Sequence, residues 1–305
     1  MKQFVIALGM FDGVHLGHRA LLARAAELAR ADGDTAVVFT YLNHPREVFS
    51  GSFDYVSTPE QRTVLCRSAG IDRIDAVPFT KAFSEQSPEA FIQMLMTRYN
   101  GRISTIVCGY DFRFGHAAKG DGALLRALGE QLGFHVEVLD PVLYLGEPCS
   151  STRVREALKD GDLDAANAML ARPYLLTGPV VHNKALGRTF GYPTANVDPG
   201  KQILPKDGVY ATALLWNGRP YPAVTNIGSN PTVGGERCTV ETHVPDANLE
   251  LYGKAVSILF LKRLRGEIRF RSTELLTEQI GRDVLQAKKV FAENEKSVYN
   301  FANLW

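Results

Sequence analysis

The sequence predicts two domains, an α/β domain on a parallel sheet followed by an antiparallel β domain that closes with a helix. Three observations predict it. The chain has 305 residues, beyond the size at which one hydrophobic core usually stops growing. In the first half, apolar runs alternate with segments of helical spacing, and such alternation builds a parallel sheet with helices on both faces. After about Pro173 the pattern changes to short β-rich runs punctuated by Gly and Pro, as in an antiparallel barrel or sandwich.

Residues 4–8 are a continuous apolar run, followed by a Gly-rich turn and by Leu21, Leu22, Ala25, Leu28 and Ala29 at helical spacing. They read as strand, loop and helix. Residues 36–39 read as the next strand. Ser87-Pro88-Glu89 caps a helix through Phe91, Ile92, Leu95 and Met96, and residues 103–107 follow as strand. Residues 124–132 read as helix and 135–139 as strand. In the second half, residues 209–216, 222–226, 239–244 and 255–261 read as strands. Leu276, Ile280, Val284, Ala287 and Phe291, spaced by three or four, make one amphipathic closing helix. The boundary falls at residues 171–176, giving domains 1–172 and 173–305.

Composition excludes several function classes. With 34 basic against 33 acidic residues there is no net field to hold nucleic acid or an anionic membrane, so any anion site is local. The apolar run at residues 4–8 is too short for a secretory signal or a membrane span, and a cytoplasmic location is expected. Cys66, Cys108, Cys149 and Cys238 form no Cys-x-x-Cys pair, which argues against zinc or disulfides and for buried free thiols. The oligomeric state is left open.

Gly9-Met10-Phe11-Asp12-Gly13-Val14-His15-Leu16-Gly17-His18 lies between the first strand and the first helix, where open α/β sheets bind ligands. Its glycines let backbone amides approach a phosphate at a helix N-terminus. His15 and His18 can face one phosphate and stabilise charge developing on it. Taken alone they read as polar loop residues, and no third ligand follows at metal spacing. Ser150-Ser151-Thr152-Arg153-Val154-Arg155 precedes a helix through Val154, Ala157 and Leu158. Alone it reads as a serine cap with solvated arginines; beside the histidine loop it reads as a mobile loop clamping a triphosphate through Ser151, Thr152 and Arg155.

Together, in this order and separation, the two segments resemble the HxGH-type nucleotidyltransferase superfamily. Gly109-Tyr110-Asp111-Phe112-Arg113-Phe114-Gly115 and Asn43-His44-Pro45-Arg46 narrow the resemblance to its FMN adenylyltransferase branch, and the whole chain is similar to the bifunctional riboflavin kinase/FAD synthetases. The resemblance implies a Rossmann-like adenylyltransferase domain followed by a flavokinase β-barrel. It places Gly9, Phe11, Asp12, Gly13, His15, Gly17, His18, Ser151, Thr152, Arg153 and Arg155 around ATP, and Asn43, Pro45, Asp111 and Phe112 around the flavin, with core packing the rival reading for Phe112. Met10 stands where the family usually has Asn, and Asn43 where it usually has Pro.

Phosphorylating a hydroxyl needs a base, a magnesium site and a shielding loop. Gly187-Arg188-Thr189-Phe190-Gly191-Tyr192-Pro193-Thr194-Ala195-Asn196 resembles the flavokinase signature, whose loop, with Gly187 and Arg188, covers the nucleotide. A Thr194 hydroxyl and an Asn196 carbonyl two residues apart on an extended chain reach one hard cation, although Thr and Asn after Pro are also common in turns. The resemblance makes Glu241 the base for the ribityl hydroxyl; by pattern alone it is a solvent-facing strand residue. Asn183 and Asn230 replace a usual Gly and Arg beside this site, so a weakened kinase is the natural failure. The implied activities are riboflavin phosphorylation to FMN and FMN adenylylation to FAD, both with ATP and Mg2+. The alternatives are a monofunctional FAD synthetase, a flavin-binding or regulatory protein without turnover, and a nucleotidyltransferase for another phosphate ester.

Overall fold

The computed structural model describes residues 2–182, 192–232, 235–247 and 249–305. The chain divides into two compact units, Met1–Tyr55 with Pro59–Ser151, and Val56–Thr58 with Thr152–Trp305.

In the first unit β1 (Phe4–Leu8) leads to α1 (Leu16–Asp32) and β2 (Thr35–Tyr41). Next come α2 (Pro45–Ser50), α3 (Pro59–Ser68), β3 (Arg73–Val77), the short α4 (Lys81–Ser84), α5 (Pro88–Arg98) and β4 (Ile103–Gly109). The unit continues through α6 (Gly122–Leu132), β5 (His135–Leu139) and a hairpin of β6 (Leu143–Tyr144) and β7 (Glu147–Pro148). The five long strands form one sheet in the order β3-β2-β1-β4-β5, and every pairing in it is parallel.

Side-chain alternation along these strands supplies two buried faces. Ile6, Leu8, Val37, Phe39, Ile106 and Cys108 pack with Phe91, Ile92 and Leu95 of α5 and Leu125 and Leu128 of α6. Val5, Ala7, Ala36 and Val38, of opposite parity, are equally buried, and α1, which packs on β1, β2 and β4, buries Leu21, Leu22, Ala25, Ala26 and Ala29. The helix ends follow their sequence signals. Ser87 caps α5 with Pro88 in its first turn, and Gly33 ends α1 at φ 69°, a left-handed position where glycine carries no Cβ penalty.

The second unit takes over after the first residue of α7 (Ser151–Asp160), since Ser151 belongs to the first unit, and runs on through α8 (Leu163–Leu170), β8 (Tyr174–Val181), β9 (Thr194–Val197), β10 (Gly208–Trp216), β11 (Arg219–Thr232), β12 (Gly235–His243) and β13 (Ala255–Arg265). These six strands close into a barrel in the order β10-β11-β12-β9-β8-β13. All its pairings are antiparallel, so the barrel rather than the sandwich is realised. The last helix, α9 (Thr273–Ala302), is capped by Ser272 and packs on β10, β11 and β13. Its position is fixed by Asp283, 3% exposed, which accepts from Arg265 Nη2 at 2.7 Å and from Gln279 Nε2 at 2.9 Å. Inside the barrel, Thr212, Thr225 and Thr242 link three adjacent strands by hydroxyl contacts of 2.9 Å each.

Among the elements that the apolar pattern did not reveal, two were hidden for visible reasons. α3 buries Gln61 and Arg62 together with Leu65 and Cys66, so its inward face does not look apolar. β3 carries the buried Asp75 in its middle, which accepts from Arg98 Nε at 2.7 Å and from the Tyr99 hydroxyl at 2.9 Å. Residues 150–155 are also not the loop expected from their hydroxyls, because helix α7 already begins at Ser151. Of the four cysteines, none in a disulfide, three are buried and Cys238 is exposed.

The Asp75 cluster gives a stability prediction. Arg98 hydrogen bonding holds the Asp75 carboxyl below the usual carboxylate range, against the opposing effect of burial. A depressed carboxyl stabilises above its unfolded pKa of about 3.9 and loses that contribution as pH falls through its folded value. In Asp75→Asn, amide exchange in β3 and α5 should quicken about 30-fold at pH 7, the equivalent of about 2 kcal/mol, and the difference from the parent chain should shrink toward pH 3.

Candidate active sites

The sheet of the first unit changes direction between β1 and β4, and a crevice opens there at the carboxyl ends of the strands. Residues 9–15 leave β1 on one side of it and residues 110–115 leave β4 on the other. The first loop is strained. Phe11 lies at φ 53° and Val14 at φ 42°, left-handed positions that a β-branched residue rarely adopts and that cluster at functional sites. The conformation is held through its carbonyls. The Met10 carbonyl accepts from Arg62 Nη1 at 2.9 Å and from Thr40 Oγ1 at 3.2 Å. The Asp12 carbonyl accepts from Ser151 Oγ at 2.8 Å, which joins two segments that lie 139 residues apart. A Cβ at Gly9 would stand 3.0 Å from the Phe11 ring, so glycine there lets that ring fold back against the loop without crowding.

His15 caps α1, its Nδ1 accepting from the His18 amide at 3.4 Å. The two imidazoles stack with centroids 3.7 Å apart and planes 24° from parallel, and Phe11 tilts against His18 at 5.2 Å. Gly17 leaves room for this stack, since a Cβ there would lie 3.2 Å from the His15 ring and press on it. Burial, then the neighbouring His15 and Arg62, push the His18 pKa well below 6.5. His18 is therefore a neutral imidazole at pH 7, and its buried Nδ1 has no partner. Gly13 and Asp12 are buried in the same loop. In the first turn of α7, Thr152 is exposed while Arg153 and Arg155 are half-buried.

Beside the crevice lies a cavity of about 540 Å³ walled by Tyr41, Pro45, Phe49, Phe79, Phe83 and Phe114. Its rings support one another edge to face, with Tyr41 5.0 Å from Phe79 and 5.4 Å from Phe83. Of the residues assigned to the flavin from sequence, Pro45 lines this wall. Asn43 stands behind it, both ends of its amide bonded to the Phe79 backbone at 2.9 Å. Asp111 is exposed, and Phe112 packs against the sheet core, stacked 5.7 Å from Phe114. Phe79, Phe83 and Arg62 went unread in the sequence. The aromatics lie in a stretch with no glycine signature, and Arg62 lies on a helix of weak apolar period.

The second unit holds a cavity of about 920 Å³ between the outer barrel wall and the start of α9, with Thr194, Asn226, Glu241, His243, Arg265 and Asp283 among its walls. Strand register explains the grouping. Asn196 pairs with Glu241 and Thr194 with His243 across β9 and β12, and Asn226 pairs with Glu241 across β11 and β12. Directly opposed residues share a face, so Thr194, Asn196, Asn226 and Glu241 form one polar patch. Their neighbours Thr225 and Thr242 point the other way, into the barrel. Burial raises the Glu241 pKa above the ordinary glutamate value, and His243 Nδ1 lies 2.8 Å from the Pro193 carbonyl. The hydroxyl of Thr194 and the amide oxygen of Asn196 are hard donors that suit a magnesium ion keeping most of its water and phosphate ligands. Among the described residues no group of three His, Cys, Asp or Glu forms an all-protein metal cage. Gly187, Arg188 and Asn183 lie outside the described residues.

Comparison with known proteins gives this pair of sites a family. A model of the FAD synthetase family matches residues 1–153, and a model of the riboflavin kinase family matches residues 170–291. The bifunctional riboflavin kinase/FMN adenylyltransferase of Escherichia coli (strain K12) is 38% identical over 290 residues, covering 94% of this chain and 92% of its own length. That of Bacillus subtilis (strain 168) is 34% identical over 301 residues, covering 96% of this chain and 94% of its own. A crystal structure from Streptococcus pneumoniae, described as a macrolide-efflux protein, superposes with a TM-score of 0.86 at 30% identity, covering 94% of each chain. Among the described residues of the present chain, no helix is long and apolar enough to cross a membrane. Matched by both family models and by two-domain relatives along nearly its whole length, the chain belongs to the bifunctional riboflavin kinase/FMN adenylyltransferase family.

Proposed function

We propose that this chain makes FAD from riboflavin in two ATP-dependent steps, with FMN adenylylation in residues 1–172 and riboflavin phosphorylation in residues 173–305. The observation that carries the reading is that each compact unit holds its own site with the matching chemistry. One has a neutral histidine pair on a strained glycine loop, and the other a raised carboxylate beside hard oxygen donors.

In the kinase step the ribityl hydroxyl gives its proton to Glu241 as its oxygen attacks the γ-phosphorus of ATP, and ADP leaves. The burial that raises the Glu241 pKa makes it a stronger base than an exposed glutamate. Magnesium, held by Thr194 and Asn196 when bound, neutralises the phosphate charge. The riboflavin ring fills the cavity under α9; Gly187 and Arg188, assigned to the nucleotide by the family resemblance, lie outside the described residues.

In the second step a phosphate oxygen of FMN attacks the α-phosphorus of ATP, and pyrophosphate leaves. No protein nucleophile is needed. His15 and His18 meet the phosphates from the loop, where a neutral His18 supplies a hydrogen bond without releasing a proton at pH 7. Gly9, Phe11, Asp12, Gly13 and Gly17 shape the loop, and Ser151, Thr152, Arg153 and Arg155 complete the nucleotide side. The flavin ring lies in the aromatic cavity against Pro45 and Phe79, with Asn43 acting through Phe79 and with Asp111 and Phe112 at the turn after β4. A cytoplasmic location fits four free cysteines and ATP as co-substrate.

The test is to supply riboflavin, or FMN, with ATP and magnesium and to separate the products. Glu241→Gln should lower FMN formation at least about 100-fold while FAD formation from added FMN survives, and His18→Ala should do the reverse. Loss of both activities in either folded variant would sink the division of labour. The raised Glu241 pKa fixes a pH limb. The ionised form is the base, so kcat/KM for riboflavin should fall as the medium is acidified through an apparent pKa above the ordinary glutamate value of about 4.3. Chelating magnesium should stop both steps, and Asn196→Ala should raise the magnesium needed for half-maximal kinase activity while leaving that of adenylylation unchanged.

A further inference from the structure

Arg62 on α3 is 5% exposed, and its guanidinium is bound almost entirely by backbone carbonyls. Nη1 donates to Met10 at 2.9 Å, and Nη2 donates to Tyr41 at 3.2 Å and to Leu42 at 3.3 Å. Nε is buried without a partner. Among the described residues no carboxylate forms an ion pair with it, and Asp12 and Glu60 act on it only through space, against a larger opposing effect of burial. Carbonyls solvate a cation but do not neutralise it, and a buried charge without a counter-charge in contact is costly to hold. The site that carries this cost is the meeting point of two loops. Met10 belongs to the nucleotide loop after β1. Tyr41 ends β2 and Leu42 follows it, and Tyr41 is part of the aromatic wall. The charge is felt at the loop, since Arg62 acts together with His15 on His18.

We infer that Arg62 is a positioning residue for adenylyl transfer. It fixes the nucleotide loop and the flavin wall relative to each other through three carbonyls, and its charge is completed only when phosphates occupy the loop. The inference rests on the adenylyltransferase reading of the first unit. It also explains why an arginine is buried there at all. A guanidinium can fork to three carbonyls on two separate segments of the chain and keep its proton at any working pH.

The test compares Arg62→Lys, which keeps the charge, with Arg62→Gln, which keeps donors but no charge, in the full chain. Inorganic pyrophosphate binding is followed by calorimetry, and FAD formation from FMN is assayed with riboflavin phosphorylation as the folding control. The expected result is that Arg62→Gln weakens pyrophosphate binding and lowers kcat for FAD by at least about tenfold, that Arg62→Lys, which keeps the charge but loses the fork, holds pyrophosphate binding within about threefold while kcat for FAD still falls, and that the kinase rate holds in both. Equal losses of pyrophosphate binding in the two variants would reduce Arg62 to a packing residue and overturn the inference, as would full activity in Arg62→Gln. Should Arg62→Gln fail to fold, Arg62→Lys decides alone, since loss of pyrophosphate binding with the charge retained also overturns it. Absence of FAD formation by the unaltered chain would instead count against the adenylyltransferase reading, with the pyrophosphate comparison still deciding the role of Arg62.

Discussion

The adenylylation end of the first unit depends on where a few backbone carbonyls find their donors. A loop with Phe11 and Val14 in left-handed conformations does not hold its shape by local preference. It is held because the Met10 and Asp12 carbonyls are taken by side chains brought from α3, β2 and the start of α7. Once the loop is fixed, the glycines at 9 and 17 let two aromatic contacts close over it, and the histidine stack follows. Electrostatics follows from the same packing, because the closeness that buries His18 also keeps it uncharged.

The barrel solves a different problem with period-two alternation. A strand has two faces, and β12 uses both. Thr242 joins the hydroxyl chain inside the barrel, while Glu241 and His243 look outward to α9. The interior chain pins β10, β11 and β12 to one another at buried positions where each hydroxyl needs its neighbour. The outer patch inherits that rigidity without contributing to it. Glu241 can therefore sit in a partly desolvated wall, although burial disfavours its charged form.

Much of this was readable from residues alone. The strand and helix periods gave the parallel sheet, and the spacing of residues 9–18 placed the histidines on the loop that the topology puts at the crevice. What stayed hidden has a common cause. Asp75 and Arg62 are polar residues in buried positions, and they spoil the apolar pattern of β3 and α3 that a reader of the sequence relies on. The flavin-side aromatics were hidden for the opposite reason. Phe79 and Phe83 look like ordinary core residues until the sheet and α2 leave a gap between them. Asn43 was legible as a motif residue, but its two-ended bond to Phe79 depends on a contact 36 positions along the chain.

The alternation in β12 also bears on how the family can vary. Substitutions at residue 241 or 242 touch one face each, but an insertion or deletion of a single residue between the β11–β12 turn and His243 would exchange the two faces. The carboxylate would turn into the apolar interior and a threonine would replace it in the cavity, so one slip would damage folding and chemistry together. Length changes in this part of the chain should therefore be confined to the connection between the strands, and the strands themselves should keep their spacing even where their residues drift.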